Sequence, residues 1–463
     1  MQTNQEKNLP KTVSHVITLL YFTIYLTVAL TIALNQPLHD TPPSMCNPPD
    51  EHSRYMVPLY ICNHGTLPTG FEEKLLSQDV KWTYGFYTLL PYMAQGYVMR
   101  LVNLFTDSPL ILLYAARMVN VATGLGMAYI VLLLGKKLFR DERVKWLFCF
   151  LVMFLPQSLF LHTYVNPDSM CLFSTALILY GLVCGYEDDF ALRSRIFLTI
   201  GIILCTLSYY NAYGFILGSI VLFAARFLNR EDGGWRFDFR GFLRKGLPIA
   251  AVVILCTGWS FVRNYILYDG DIIGLATKEN FIRSYGILRE SPDDRGESLF
   301  DMLFRTDFFK DLIRTSIASY GSASLFGRRR IYTFYKLICL TGLLCAVLCR
   351  DRDNSAAVLR SDPKWRRAFF HGAMIFCMLM PFILLVRYAY TVDYQAQGRY
   401  ILPGIIPFMY YVSRGLEKIP LRFKIPEKFK NCLFAAILFC IVAALCMMVY
   451  ETSLPVWLQT TVL

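Results

Sequence analysis

Four short stretches of this chain place ionisable and amide side chains where apolar runs end. The first is Asn47-Pro48-Pro49-Asp50-Glu51-His52-Ser53-Arg54-Tyr55. Adjacent carboxylates at a membrane surface can take a proton as a general base or hold a divalent cation such as Mg2+ or Mn2+. His52 and Arg54 would then contact the substrate from the same segment. The same acids, placed after Asn47 as N-cap and Pro48 at the first helical position, can equally well just stabilise a helix start against its dipole.

The second stretch is His162-Thr163-Tyr164-Val165-Asn166-Pro167-Asp168-Ser169. Asn166-Pro167 signals a turn. Asp168 either caps the following helix or joins His162 and Asn166 in a site shared with Asp50. In the third, Arg263 and Asn264 sit just before an apolar run ends, where an arginine snorkels or, beside an amide, binds an anion such as a phosphodiester. The fourth, Gln397-Gly398-Arg399-Tyr400, sets a cation in a short loop that needs a counter-charge, from a lipid phosphate or from Asp393. Arg117 and Arg387 are lesser candidates, each readable as a packing or snorkelling arginine.

The elements that position these residues are apolar spans. Of 463 residues, 55% are hydrophobic and only 17% charged, with mean hydropathy +0.41. Soluble domains carry about 25% charged residues. Runs near the ~20 residues that cross a bilayer recur at 13–34, 109–134, 146–161, 169–184, 196–209, 212–228, 247–267, 331–349, 368–387, 400–416 and 431–450. We expect an all-α polytopic membrane protein of about 11 transmembrane helices, forming a single membrane domain over residues 1–463. The first run is too long for a removable signal peptide and lacks its small-residue cleavage site.

The net charge of +12 is a topology signal. More than half of the 46 cations fall in alternate loops, such as Lys136–Lys145, Arg226–Lys245, Arg350–Arg367 and Arg414–Lys430, as cytoplasmic loops require. The N-terminus is then cytoplasmic, the C-terminus extracytoplasmic, and residues 35–108 and 268–330 form two long outer loops. Phe86, Leu89, Leu90, Met93, Tyr97, Leu101 and Leu104 repeat at helical spacing in the first, as a surface amphipathic helix would. Most of the 14 cysteines lie in apolar runs, where thiols act as small hydrophobes. Cys46 and Cys62, in the first loop, can either form a disulfide or stay reduced. A disulfide scaffold, a disordered chain and a cytosolic nucleic-acid binder are excluded, and no nucleic acid is expected as a partner.

The order Pro48-Pro49-Asp50-Glu51-His52, Asn166-Pro167-Asp168, Arg263-Asn264 through Leu267-Tyr268 to Gly270-Asp271, and Gln397-Gly398-Arg399-Tyr400 through Leu402-Pro403 resembles the bacterial multi-pass membrane family known as domain of unknown function 2142. That family is similar to the GT-C glycosyltransferases, which use lipid-phosphate-linked sugars at the outer membrane face. Their surface helix opens with a proline- and tyrosine-rich segment, for which Trp82–Tyr87 stands here without the prolines. The resemblance implies that Asp50 or Glu51 is the catalytic base or metal ligand, and that the chain sits in a bacterial plasma (inner) membrane.

The function expected is transfer of a sugar from a polyprenyl-phosphate donor to a glycan, lipid or protein acceptor. Asp50 would take the acceptor proton, with Glu51 or Asp168 assisting, and Arg399 and Arg263 would bind the donor phosphate. The aromatic tail of the second loop (Phe304, Phe308, Phe309, Tyr320, Phe326) would stack on sugars or anchor to the membrane. Two other readings are a flippase for a lipid-linked glycan and a non-catalytic subunit of a polysaccharide assembly complex. A flippase predicts mid-span ionisable groups and repeated halves, yet the chain has no internal repeat and Arg117 alone lies well inside a span.

Overall fold

The computed structural model describes residues 11–38, 46–76, 83–86, 90–231, 234–286, 290–348, 362–423, 425–460 and 462. Helices dominate: α1 (Lys11–Asn35), α2 (Glu51–His64), α3 (Leu90–Val102), α4 (Pro109–Leu138), α5 (Glu142–Met153), α6 (Pro156–Phe160), α7 (Asp168–Asp188), α8 (Leu192–Ser208), α9 (Tyr213–Arg226) and α10 (Phe239–Leu267). The chain continues through α11 (Leu275–Ser284), α12 (Leu299–Phe304), α13 (Phe308–Ile317), α14 (Arg329–Leu348), α15 (Lys364–Thr391), α16 (Ile405–Arg422), α17 (Glu427–Cys446) and α18 (Leu454–Trp457). Two small antiparallel pairs complete it. Strands β1 (Leu228–Glu231) and β2 (Gly234–Phe237) form one; β3 (Ser319–Tyr320) and β4 (Leu325–Phe326) form the other.

Every apolar run expected to span falls on a helix or helix pair. Among the described residues, seven helical stretches are long and apolar enough to cross a membrane. The remaining runs are shorter, like α9 at about 21 Å, or are broken, as where Pro156 separates α5 from α6. Local signals set the boundaries. The Asp141 carboxylate accepts from the Arg143 N–H to start α5, and Asp238 accepts from the Gly241 N–H to start α10. The α7–α8 hairpin closes tightly because a Cβ on Gly181 would lie 2.5 Å from the Leu198 nitrogen.

The basic loops gather at one end of the bundle. There Lys137 of α4 bonds Glu187 of α7, Lys245 of α10 meets Asp189 at 2.6 Å, and Arg143 of α5 meets Glu427 of α17 at 2.9 Å. Asp50, Asp168 and Arg399 lie at the opposite end. The alternation of cation-rich and cation-poor loops along the sequence is thus a physical separation of the two ends.

Helix α3 is the amphipathic segment of the first loop, though shorter than its sequence pattern. Leu89 lies outside the described residues, and Phe86 packs in an aromatic knot with Phe71, Tyr268 and Phe281. Tyr97, Leu101 and the following Leu104 are exposed, while Pro91, Tyr92, Gln95 and Met99 turn inward. The later part of the apolar stripe therefore faces away from the protein, while Met93 packs against the core and Gln95 is buried on the Asn120 amide at 3.1 Å.

Three readings left open by the sequence are decided. Asn47 does not cap α2: the helix begins at Glu51, and Asp50 stands at the cap position with φ 60° and no side-chain cap bond. Cys46 and Cys62 are not joined in a disulfide and pack in different hydrophobic clusters. The aromatic tail of the second loop is mostly packed inward. Phe308 is buried, Tyr320 stacks on Phe160 at 4.3 Å, and Phe326 lies under the Arg314 guanidinium at 3.4 Å. Phe304 alone of the five is strongly exposed.

Candidate active site

The chain makes a left-handed turn at Asp50 immediately before α2. Aspartate tolerates this conformation better than most residues, and such strain collects at functional sites. Its consequence is that two adjacent carboxylates diverge. Glu51 turns into the protein, fully buried. Arg117 of α4 grips both its oxygens, Nε to Oε1 at 2.9 Å and Nη2 to Oε2 at 2.6 Å, and the Val165 N–H donates to Oε1 at 2.7 Å. Arg117 also donates to the carbonyls of Ala33 and Gln36 at 2.9 Å each. This node ties the end of α1, the start of α2, α4 and the 161–167 loop together. It also explains a cation inside a span, since Glu51 neutralises it.

Asp50 turns the other way and is 39% exposed to a cavity of about 510 Å³. Its Oδ2 accepts from Arg399 Nη2 at 2.8 Å and lies 3.6 Å from Arg54 Nη2. Burial would raise its pKa, but the charges of Arg399 and Arg54, with hydrogen bonds from Arg399 and Tyr84, prevail and bring it down to about 2. Arg54, on the first turn of α2, also reaches Asp168 Oδ2 at 3.2 Å and lies over the Tyr84 ring at 4.9 Å. Asp168, the first residue of α7, makes no cap bond and is itself buried. A chain of alternating charge, Arg399–Asp50–Arg54–Asp168, thus runs from the cavity wall, which the first three line, inward to the buried Asp168.

Arg399 sits on a short turn before α16 and is only 4% exposed. It donates to Asp50 and to the Tyr400 hydroxyl at 3.0 Å, and Tyr400 donates on to Gln395 at 2.8 Å. The Nε and Nη1 of Arg399 have no hydrogen-bond partner. A buried guanidinium with spare donors is chemically suited to pairing an anion. The turn fits only because residue 398 is glycine: a Cβ there would lie 2.1 Å from the Ser316 nitrogen in α13, and the Gly398 N–H is held by Thr315 Oγ1 at 2.8 Å.

The cavity is also lined by Lys278 and Glu279 of α11, Arg387 and Tyr388 of α15, Gln397, and the Tyr209–Asn211 turn between α8 and α9. Lys278 pairs with Glu279 at 3.3 Å. The sequence raised Arg387 without a role. It placed Tyr84 only within the Trp82–Tyr87 segment, without a role, and it offered no signal for Lys278 or Tyr209–Asn211, because each lies in an ordinary turn or helix end far along the chain from Asp50.

The remaining expected site residues lie apart from the cavity. His162 is fully buried, its Nδ1 2.7 Å from Ser169 Oγ. Asn166 shapes its own loop, donating to the carbonyls of Leu161 and Tyr164 at 2.9 and 2.8 Å. Arg263 donates to the Pro68 carbonyl, and Asn264 donates to the Ile272 carbonyl at 3.1 Å, so both fasten loops to each other. His52 is half-buried on α2 and does not line the cavity. Trp82 and Tyr87, the flanks of the expected surface-helix opening, lie outside the described residues.

The residues present do not fit a divalent cation. Glu51 has both oxygens on Arg117, Asp50 faces two guanidiniums, and the described residues hold no cluster of three His, Cys, Asp or Glu side chains.

Comparison with known proteins accords with the multi-pass fold. A family model described as "Predicted membrane protein (DUF2142)" matches residues 58–279. No curated protein matches. Among solved structures, ArnT from Cupriavidus metallidurans in its apo state superposes with TM-score 0.54 at 10% identity, covering 96% of this chain and 77% of that one. The same enzyme bound to undecaprenyl phosphate gives 0.51 at 12% identity, covering 95% and 73%. The Archaeoglobus fulgidus oligosaccharyltransferase tethered to an acceptor peptide gives 0.50 at 14% identity, covering 94% of this chain, which spans 55% of the length of that one. Residues 58–279 are therefore similar to the DUF2142 predicted membrane proteins, and the multi-pass fold is similar to those of ArnT and the archaeal oligosaccharyltransferase.

Proposed function

We propose that this protein transfers a sugar from a polyprenyl-phosphate-linked donor to an acceptor hydroxyl or amide at the Asp50 cavity, on the extracytoplasmic face of a bacterial inner membrane. The observation that carries the reading is the pairing of an ionised, cavity-facing carboxylate with a buried arginine whose Nε and Nη1 are unpartnered. In the step proposed, the acceptor atom attacks the anomeric carbon as the carbon–oxygen bond to phosphate breaks. Asp50 takes the acceptor's proton. The leaving lipid phosphate keeps the electron pair, and Arg399 stabilises its growing charge. Arg387 and Lys278, which line the same cavity, supply further positive potential.

Arg399 also tunes the base. While it is held on Asp50 it keeps the carboxylate weakly basic. As it turns its donors to the phosphate, that hold loosens and the basicity of Asp50 rises when a proton must be taken. Glu51 acts as a positioning residue, fixing the turn that points Asp50 outward. Asp168 holds Arg54. Pairing of Arg117 with Glu51 removes the one mid-span charge that favoured transport. ArnT has been captured with undecaprenyl phosphate, a lipid phosphate of the class proposed here.

The test is transfer from a panel of radiolabelled polyprenyl-phosphate sugars to membrane-extract acceptors by the purified chain. Product formation that depends on Asp50 supports the reading. Donor carried across vesicle membranes without product would replace it with transport.

A further inference from the structure

The basic end of the bundle holds a second constellation, remote from the transfer cavity. An apolar groove of about 550 Å³ runs between α9 and α15, floored by small residues that include Gly218, Ala368 and Gly372. Where the groove ends, Trp235 of β2 and Trp365 of α15 meet edge to face at 5.0 Å and 83°. Beyond Trp365 opens a hollow of about 720 Å³ lined by Asn229, Arg230, Lys364 and Arg366. Arg366 is 7% exposed; it reaches Asp362 at 2.9 Å and the Leu228 carbonyl at 3.1 Å, and its Nε has no partner.

We propose that this pair of cavities binds one anionic phospholipid of the leaflet opposite the active site, phosphate in the hollow and acyl chain in the groove. Depth supports the placement. Trp365 and Arg387 lie on the same helix with 22 residues between their positions, roughly 33 Å at 1.5 Å per residue, about the hydrocarbon thickness of a bilayer. With Arg387 at the active-site cavity, the tryptophans fall at the other interface, where aromatic rings settle. Charge selects the head: Arg230 and Lys364 line the hollow with Arg366, a buried guanidinium paired with Asp362 that keeps a spare donor, and among the described residues no carboxylate lines it. Shape selects the tail, since a Cβ on Gly372 would meet nothing within 4 Å. A soluble anion has no use for the groove, and an apolar helix has no use for the cations.

The experiment is native mass spectrometry of the full-length protein from mixed micelles, comparing retention of phosphatidylglycerol with phosphatidylcholine. Each cation near an anionic head group is worth roughly a factor of five in binding. We expect phosphatidylglycerol to be retained about thirtyfold better in the wild type, and that preference to vanish in Arg230→Gln/Lys364→Gln, both exposed positions. Gly372→Leu puts its side chain into the groove from a Cβ that meets nothing within 4 Å, so it should shed both lipids at an unfolding temperature no lower than that of wild type. Equal retention of the two lipids, retention indifferent to the double variant, or displacement by millimolar inorganic phosphate would each overturn the proposal, the last by showing a site for a free anion.

Discussion

Two neighbouring carboxylates with opposite surroundings predict opposite phenotypes for their amides. Asp50→Asn keeps the left-handed turn, which asparagine also tolerates, and no cap bond is lost. The pKa of Asp50, lowered from 3.8 to about 2, is worth about 2 kcal/mol at 1.36 kcal/mol per unit. Because the side chain is 39% exposed, screening cuts that to about 1 kcal/mol or less. The sign follows from the depression: the contribution is present above pH 3.8 and is lost as pH falls towards 2. At neutral pH the variant should therefore fold nearly as well as wild type while transfer falls by about 10²–10⁴-fold, the usual worth of a general base. Glu51→Gln leaves the Arg117 charge buried without its counter-ion, a change that typically costs about 3–5 kcal/mol. At ~2.1 cal/mol/K per residue that is a drop of roughly 3–5 °C in unfolding temperature. The assay is sugar transfer and thermal unfolding measured on the same detergent-purified samples. If Asp50→Asn stays active, or if Glu51→Gln is as stable as wild type and as inactive as Asp50→Asn, the division of roles fails.

Arg399→Gln should raise the KM for donor and lower kcat/KM by about 10–100-fold, since a hydrogen bond to a charged group is worth about 1.5–3 kcal/mol; Arg399→Lys should recover part of this, and an unchanged donor KM would remove Arg399 from phosphate binding. Gly398→Ala must push α13 or the turn aside, because its Cβ would sit 2.1 and 2.2 Å from the Ser316 nitrogen and Cα. We expect a loss of at least about 1–3 kcal/mol, seen in thermal unfolding together with loss of transfer, and a variant of wild-type stability would show the close approach to be wrong. Transfer should survive EDTA without added Mg2+ or Mn2+, as the Glu51–Arg117 pairing implies, and activity restored only by a divalent ion would return Asp50 and Glu51 to the metal-ligand role.

The sequence by itself determined the class of this protein. Apolar runs at bilayer length, cations confined to alternate loops, and polar groups at the run ends follow from solvation, and solvation is written locally in residue type. The same local logic located Asp50, Asp168 and Arg399 as candidates. It did not determine which acid of the 50–51 pair faces the cavity, because that depends on a backbone turn and on partners remote in the chain. Arg117 is 66 residues from Glu51, and Arg399 is 349 from Asp50. Periodicity reports that a side chain is buried or exposed; it does not name what meets it. For the same reason Arg263, Asn166 and His162, plausible by type and position, proved to fasten loops or pack the interior, while Lys278 and the Tyr209–Asn211 turn entered the cavity unannounced. Only tertiary packing brings the ends of α2, α7, α11 and α15 around the turn before α16, and electrostatics acts across those few ångströms rather than along the chain.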